Sequence, residues 1–227
     1  MCANYLPSRA ERLQKQFGVA TPAHAAAREA FPGYLAPIVR LAEDGSGERE
    51  CVAACFGLVP AWADLKLSRH TYNARTETVG EKPSFRSAFH KRQFCIVPAE
   101  AFFEPNYESG HPVRWRIGSD AGQDLGIAGI WDWRPHGGPN DQPLVSFSML
   151  TINADHHPLM RRFHKPGDEK RMVVILEPDQ YADWLQADAE EARSFFTTYP
   201  AEKLQAAPAP RVALRKAAPR QNNLPLL

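Results

Sequence analysis

Apolar residues along this chain gather in short runs rather than in long helical stripes. The runs Ile38 to Leu41, Cys51 to Val59, Phe94 to Val97, Val113 to Ile117, Leu125 to Trp131, Leu144 to Ile152 and Met172 to Leu176 are broken from one another by Pro, Gly and charged residues. That texture predicts buried or half-buried strands. Helical spacing is local. Ser8-Arg9-Ala10-Glu11 has the form of a capping box ahead of Leu13 and Phe17, with Gly18 placed to end the turn. Phe85, Ala88 and Phe89 share one face of a short helix, as do Tyr181, Trp184 and Leu185 after Pro178 at a first-turn position. Asp188 with Glu191 caps another, carrying Phe195 and Phe196. Many closely spaced strands with few intervening helices argue against a doubly wound parallel sheet. They predict a single α+β domain around a mainly antiparallel, barrel-like sheet with short flanking helices.

This domain is expected to occupy residues 1–204. Residues 205–227 are rich in Ala and Pro and carry Arg211, Arg215, Lys216 and Arg220 with no acid after Glu202. They predict a partly ordered basic tail, in which Arg211 to Lys216 fits a last edge strand.

Composition narrows the class further. With 227 residues, 44% hydrophobic and 23% charged, the chain is of globular type, not collagen-like, disordered or coiled-coil. No apolar run approaches the roughly 18 residues of a membrane-spanning helix, and the first residues lack a cationic lead followed by an apolar stretch. A cytoplasmic protein is expected. Four cysteines are too few for a disulfide scaffold and are expected as free thiols. Cys51 and Cys55 lack a second Cys/His pair at zinc-finger spacing, so no structural zinc is expected. No long apolar helix face is left over, which predicts a monomer.

The net charge of +1 is uninformative by itself, but two segments depart from it. Residues 75–92 and 161–171 each carry five basic against two acidic residues. Together they can form one groove for an anionic ligand, although a solvated surface has the same signature.

Four places carry residues suited to chemistry. Removal of Met1 would leave Cys2 with a free α-amine beside its thiol, a 1,2-aminothiol. The reference pKa values, about 7.7 to 8 for the amine and about 8.5 for the thiol, leave part of each nucleophilic near neutrality. Such a pair reacts with an aldehyde: the amine forms a Schiff base and the thiol closes a five-membered thiazolidine. In Tyr72-Asn73-Ala74-Arg75-Thr76-Glu77, Asn73 can hold a backbone group or an amine and Arg75 can grip a phosphate; the run also fits an exposed loop. In Val97-Pro98-Ala99-Glu100-Ala101-Phe102-Phe103-Glu104 the carboxylates border an aromatic strand, where desolvation would raise a pKa towards general-acid use. A strand end facing water is the alternative. Finally, His156, His157 and His164 lie in an Arg-rich loop entering the strand from Met172, and histidine suits proton transfer at neutral pH. Neighbouring His side chains in an extended segment point apart and no Cys completes a set, so no metal site is expected. No Gly-x-Ser-x-Gly elbow occurs.

In this order, these segments resemble the SOS response-associated peptidase (SRAP) family of abasic-site processing proteins. The resemblance rests on Met1-Cys2, Phe56-Gly57-Leu58-Val59-Pro60-Ala61-Trp62, Asn73-Ala74-Arg75-Thr76-Glu77-Thr78, Pro83-Ser84-Phe85-Arg86, Val97 through Glu104, Ala128-Gly129-Ile130-Trp131 and Leu150-Thr151-Ile152-Asn153-Ala154, and extends through His164 and Arg171-Met172 to Leu176. It implies a basic cleft for single-stranded DNA in which Cys2, freed of Met1, bonds to the ring-opened aldehyde of an abasic deoxyribose. Autopeptidase and lyase-type chemistry would accompany the crosslink, and no cofactor is implied. By motif, Asn73 would position the Cys2 amine and the sugar, Glu104 would be the acid/base of ring opening and Schiff-base formation, and His164 would assist proton transfer. Arg75 would hold a phosphate, with Arg86, Arg162, Arg171 and Trp62 as further DNA contacts.

Three departures from the family pattern stand out. Ala3-Asn4 replaces the usual Gly-Arg and removes a cation; Pro105 replaces a Trp after the acid, leaving Trp62 or Trp131 to compensate; and the His-x-Arg-Met-Pro string is stretched to His164, Lys165 to Lys170, then Arg171-Met172-Val173, with His157 the fallback for His164. Two rival functions remain: a cysteine peptidase acting in trans, and a non-catalytic single-stranded nucleic-acid-binding module.

Overall fold

In strand after strand, odd and even residues separate into two apolar layers, and that alternation sets the architecture. The computed structural model describes residues 2–22 and 28–211. Its strands are β1 (Tyr5–Pro7), β2 (Leu35–Leu41), β3 (Arg49–Phe56), β4 (Asn73–Arg75), β5 (Phe94–Asn106), β6 (Val113–Ser119), β7 (Leu125–Arg134), β8 (Leu144–Asn153), β9 (Arg171–Val173), β10 (Ile175–Leu176) and β11 (Leu204–Pro208). β5, β2, β3, β8 and β7 are joined in that order, and β7 pairs again with β5 from Phe94↔Ile130 to Ala99↔Leu125. The five strands therefore close on themselves as a barrel. Most pairings are antiparallel; β8 takes β3 and β4 as parallel neighbours.

The inner face contributes Ala36, Ile38, Ala54, Phe56, Cys95, Val97, Ile127, Trp131, Phe147 and Met149 to one buried cluster. Outward-facing Val39, Ile96, Ala128, Ile130 and Leu150 join a second. Strands buried on both faces read as near-continuous apolar runs, which explains why these segments are legible in the sequence. The helices cover the second cluster: α1 (Ala10–Arg12), continued by a π-helical turn over Leu13–Phe17; α2 (Arg86–His90), through Ala88 and Phe89; and α3 (Tyr181–Gln186), through Trp184 and Leu185. The Trp184 indole N–H donates to the Cys95 carbonyl at 2.9 Å, fixing α3 to the wall of the barrel.

Local signals meet mixed outcomes. Asp188 and Glu191 form their reciprocal cap, at 2.9 Å each way. Ser8 does not cap: its hydroxyl is buried without a partner, and Arg9 precedes the helix with no side-chain cap. The Ser8 backbone N–H is committed instead to Pro98 O at 3.1 Å, because β1 continues along β5. The boundary expected at residue 204 falls inside β11, which pairs with β6 from Leu204↔Ser119 to Pro208↔Trp115. An edge strand thus forms, but earlier than Arg211 to Lys216; residues 212–216 lie outside the described residues. No helix among the described residues is long and apolar enough to cross a membrane. The four cysteines are unpaired.

One glycine is fixed by sterics. Gly57 leaves β3 at φ +114, and a Cβ there would lie 2.0 Å from the Ser68 carbonyl oxygen. Gly57→Ala therefore combines a forbidden φ with a backbone clash, and is expected to cost about 3 kcal/mol. In a domain of this size that lowers the melting temperature by roughly 6 to 12 °C. Thermal unfolding checks it; an unchanged midpoint would show that the turn has another accessible conformation.

Candidate active site

β5 outlasts the ring. Its first half closes the barrel, and its second half runs on to pair with β6, from Phe102↔Ile117 to Asn106↔Val113, and with β1, through Tyr5↔Phe102 and Leu6↔Ala101. Glu104 lies on this extension. β1 brings the start of the chain alongside it: Phe103 N–H donates to Asn4 O at 3.0 Å. Cys2 consequently sits in the inner cluster, 1% exposed, with its thiol 3.6 Å from the Asn4 carbonyl.

Asn73 reaches the same place from the other side. β4 lies parallel to β8 with Asn73 opposite Met149, an inner-face position, and the Asn73 Nδ2 donates to the Cys2 carbonyl at 2.7 Å. Its Oδ1 is buried with no protein donor. One end of this amide fixes Cys2 and the other keeps an acceptor ready, although an unpaired buried acceptor costs about 1 to 3 kcal/mol.

His164 is delivered by the loop before β9. Phe163 bridges to Asn106, Asn106 Nδ2 donates to Arg162 O at 3.1 Å, and His164 N–H donates to Pro105 O at 2.9 Å. These ties hold His164 at φ +64, a left-handed conformation unusual for a side chain of this size. The result is a 3.1 Å contact between His164 Nε2 and Glu104 Oε2. His157, by contrast, is committed elsewhere: Nδ1 accepts from Met160 N at 2.9 Å and Nε2 contacts Tyr199 O at 2.7 Å. The geometry brings His164 and not His157 to the acid.

Burial governs the electrostatics. Glu104 is 3% exposed, and desolvation lifts its carboxyl to about 7. Desolvation also lowers His164 to about 4, with Lys170 adding to the effect. Both shifts disfavour charge, so near neutrality the pair consists of a neutral imidazole and a carboxyl poised between its two forms. Burial, reinforced by Glu104, pushes the Cys2 thiol up to about 12, so it stays protonated. Tyr72, half-buried beside them with its ring edge-on to Phe56, also feels Cys2 and Glu104, and its hydroxyl is raised chiefly by burial. Tyr72 carried no distinguishing sequence signal beyond adjoining Asn73. Among the described residues no group of His, Cys, Asp and Glu is placed to hold a metal ion.

The expected DNA contacts are placed unevenly. A groove of about 740 Å³ runs past His164, lined also by Arg161, Arg162, Lys170, Glu108 and Tyr107. A second, of about 270 Å³, opens on the Glu104 side between Asn4, Phe103, Pro105, Pro112, Arg114 and Arg211. Arg162 borders the first and makes a bidentate pair with Glu108 at 2.8 and 2.9 Å. Arg75 is half-exposed and paired with Glu169 at 2.8 Å. Arg171 is 2% exposed, and its guanidinium is engaged by Glu77, Glu169, Thr151 O and Thr151 Oγ1. In this arrangement Arg171 anchors the loop from beneath instead of facing the groove. Arg86 is exposed at the start of α2, the helix that covers the outer cluster. Trp62 projects from its turn, 68% exposed, whereas Trp131 is buried beneath the Arg40 guanidinium at 4.1 Å and serves packing.

The cation absent at position 4 is supplied from β6. Arg114 lies over the Phe103 ring at 3.2 Å, donates to Asn4 Oδ1 at 2.8 Å and pairs with Glu29. Only the register Pro105↔Arg114 brings it there, and no local pattern announces it.

Comparison with known proteins places the chain in a family. Residues 1–213 match the family described as SOS response associated peptidase (SRAP). "Abasic site processing protein YoqW" of Bacillus subtilis is 31% identical over 188 residues, 78% of this chain and 79% of that protein. "Abasic site processing protein HMCES" of Xenopus tropicalis is 28% identical over 163 residues, 62% of this chain and 46% of that longer protein. A crystal structure of a protein from Bordetella bronchiseptica superposes with a TM-score of 0.83 at 38% identity, covering 92% of this chain and 99% of that one. The chain belongs to the SOS response associated peptidase family.

Proposed function

We propose that this protein processes abasic sites in single-stranded DNA by capturing them covalently through Cys2. The observation that carries the reading is the convergence of Cys2, Asn73 and the Glu104–His164 pair in one buried place, with His164 lining one groove and Glu104 another. The names of the relatives support the same substrate.

Hydrolysis of the Met1–Cys2 bond frees the Cys2 α-amine. The protonated form of Glu104 donates to the ring oxygen of the abasic sugar as its bond to C1′ breaks, and the proton on the C1′ hydroxyl passes out through the Glu104–His164 pair. The amine then attacks the aldehyde carbon and water leaves, giving a Schiff base. Finally Sγ bonds to that carbon while the thiol proton moves to nitrogen, closing the thiazolidine with no redox change. A thiol held protonated by burial suits this order, because the amine attacks first and the thiol is needed only once the imine has formed. Reopening the ring makes the crosslink reversible, and β-elimination from the Schiff base gives lyase chemistry. Asn73 Nδ2 fixes Cys2 while Oδ1 accepts from the new amine or the sugar. Arg75 and Arg162 supply phosphate grips and Trp62 a surface for stacking.

Intact-mass spectrometry tests this directly. The purified protein is expected to lack Met1 and to gain the mass of a single-stranded oligonucleotide bearing one abasic site, minus one water. Cys2→Ala should form no thiazolidine, and Glu104→Gln should slow adduct formation by about 100-fold. Selective acylation of the α-amine, leaving the thiol, should also abolish the adduct; survival of peptide-bond cleavage after that block would favour a thiol peptidase acting in trans. Retention of Met1 would defeat the aminothiol mechanism.

A second expectation concerns pH. A carboxyl raised from its ordinary value to about 7 binds more protons folded than unfolded, so its contribution to stability falls as pH rises through that window. Glu104→Gln removes that loss. Relative to wild type, the variant should therefore gain about 3 kcal/mol between pH 4.5 and pH 8. Urea unfolding at the two pH values measures this; a constant difference would show that Glu104 ionises normally in the fold.

A further inference from the structure

The arginines flanking the site share one feature. Arg75 is held by Glu169 at 2.8 Å, Arg162 by Glu108 through two parallel bonds, and Arg114 by Glu29. The three pairs surround the reacting cluster. Arg75 lies two residues beyond Asn73; Arg162 and Glu108 border the groove that contains His164; Arg114 borders the groove that contains Glu104. A carboxylate offers a guanidinium the same planar pair of acceptors as a phosphate; Arg162 is already held in that two-pronged geometry, while Arg75 and Arg114 are each held through a single oxygen. The pairs are partly or largely exposed, with Glu108 52% and Arg75 49% accessible. Pairs of that kind are weak and exchangeable.

Resting on the abasic-site reading above, we propose that Glu29, Glu108 and Glu169 are specificity-determining residues: they occupy the phosphate-gripping arginines of the free protein, so that intact DNA is held weakly. A strand must displace a carboxylate for each arginine it engages, and a net phosphate contact is worth correspondingly less. Intact DNA has only these contacts and leaves. DNA carrying an aldehyde is retained by the bond to Cys2, which does not depend on the rim. Discrimination thus comes from lowering the unspecific background as well as from the chemistry. Arg161, exposed in the same groove, supplies first capture.

The pairs differ in what else they hold. Glu169 also binds Arg171 and Asn153, and Glu29 also meets Arg211. Among the described residues Glu108 otherwise takes part only in a local turn with Asn106, which makes Glu108→Gln the cleanest variant. Glu43→Gln is the control for charge alone. Glu43 pairs with Arg40 where β2 meets the start of β5, at Val39↔Ile96; Glu104 lies eight residues further along β5, about 26 Å away at about 3.3 Å per residue.

The test is fluorescence anisotropy with an intact single-stranded oligonucleotide across a salt series, run on wild type, Glu108→Gln, Glu169→Gln, the triple Glu29/Glu108/Glu169→Gln variant, Glu43→Gln and Arg161→Ala. Glu108→Gln is expected to tighten binding about fivefold, and the triple variant to steepen the log affinity against log salt slope by about 2, or about 0.7 per freed arginine. Glu43→Gln should stay within about twofold of wild type and Arg161→Ala should weaken binding. Glu108→Gln and the triple variant matching Glu43→Gln, or binding more weakly than wild type, would overturn the proposal. Adduct formation with an abasic oligonucleotide is measured in parallel: its absence in wild type would sink the covalent reading, while the intact-strand affinities alone decide the role of the carboxylates.

Discussion

A carboxyl group kept from water is the constraint around which this fold is organised. Isolating an ionised carboxylate in a protein interior costs several kcal/mol, so the group takes up a proton instead. Glu104 meets that condition because β5 carries it beyond the ring, β6 backs it, and β1 lays the chain's first residues across it. Remove the β1–β5 pairing and Glu104 is open to solvent. Its carboxyl would return towards the ordinary range, and Cys2 would lose its place in the same cluster. The strand that delivers Cys2 is thus also the lid that raises the Glu104 carboxyl. Because the two functions share one set of backbone hydrogen bonds, reach and reactivity cannot be varied separately.

A similar economy governs the histidine loop. Holding His164 at positive φ costs on the order of 1 to 3 kcal/mol, and the loop bears this because both of its ends are fixed. At one end Asn106 and Pro105 stitch it to β5; at the other, Arg171 enters β9 with its guanidinium buried among Glu77, Glu169 and Thr151. A buried arginine is tolerable only where its donors are satisfied. Those acceptors belong to β8, to the segment after β4 and to the loop itself, so the one cation joins the elements carrying Asn73 and His164. It also accommodates the longer spacing between His164 and Arg171: residues 165–169 form an exposed turn between the two anchors.

What the sequence made legible follows from where the information is local. The ring strands bury both faces, so each appears as an apolar run, and the runs at Cys51, Phe94, Leu125 and Leu144 find their strands within a few residues. β1, β4 and β11 have three, three and five residues, and their existence depends on partners far away in the chain. Ser8 shows the same limit: a well-formed local capping signal yields to a longer-range hydrogen bond to Pro98. The candidate site residues were legible as strings, because Cys2, Asn73 and Glu104 each sit in a distinctive setting. His164 was named through the resemblance, with His157 as its fallback, and the fold separates the two: His164 meets Glu104 while His157 is tied to Met160 and Tyr199. Arg171 was legible as a basic residue beside the loop, but its burial is a property of three other segments.

The departures from the family pattern are resolved by the same cross-strand logic. Asn4 cannot act as a cation, yet its side chain lies between Ala30 O and the Arg114 guanidinium, at 3.2 and 2.8 Å. A positive group is therefore retained at that edge, contributed by the neighbouring strand and braced on Phe103. Pro105 forgoes an aromatic ring next to the acid, but the residue directly across from Glu104 is Trp115. Paired residues on adjacent strands project to the same face, and the Trp115 ring is held edge-on to Phe163 at 5.9 Å with Arg162 over it at 5.2 Å. Proline also fits where it stands: having no N–H to place, it leaves its carbonyl to receive His164. In this chain the charge and the aromatic surface beside Glu104 thus come from the neighbouring strand, and the register of β5 against β6 is what places them. A one-residue slip of that register would turn Trp115 and Arg114 to opposite faces at once.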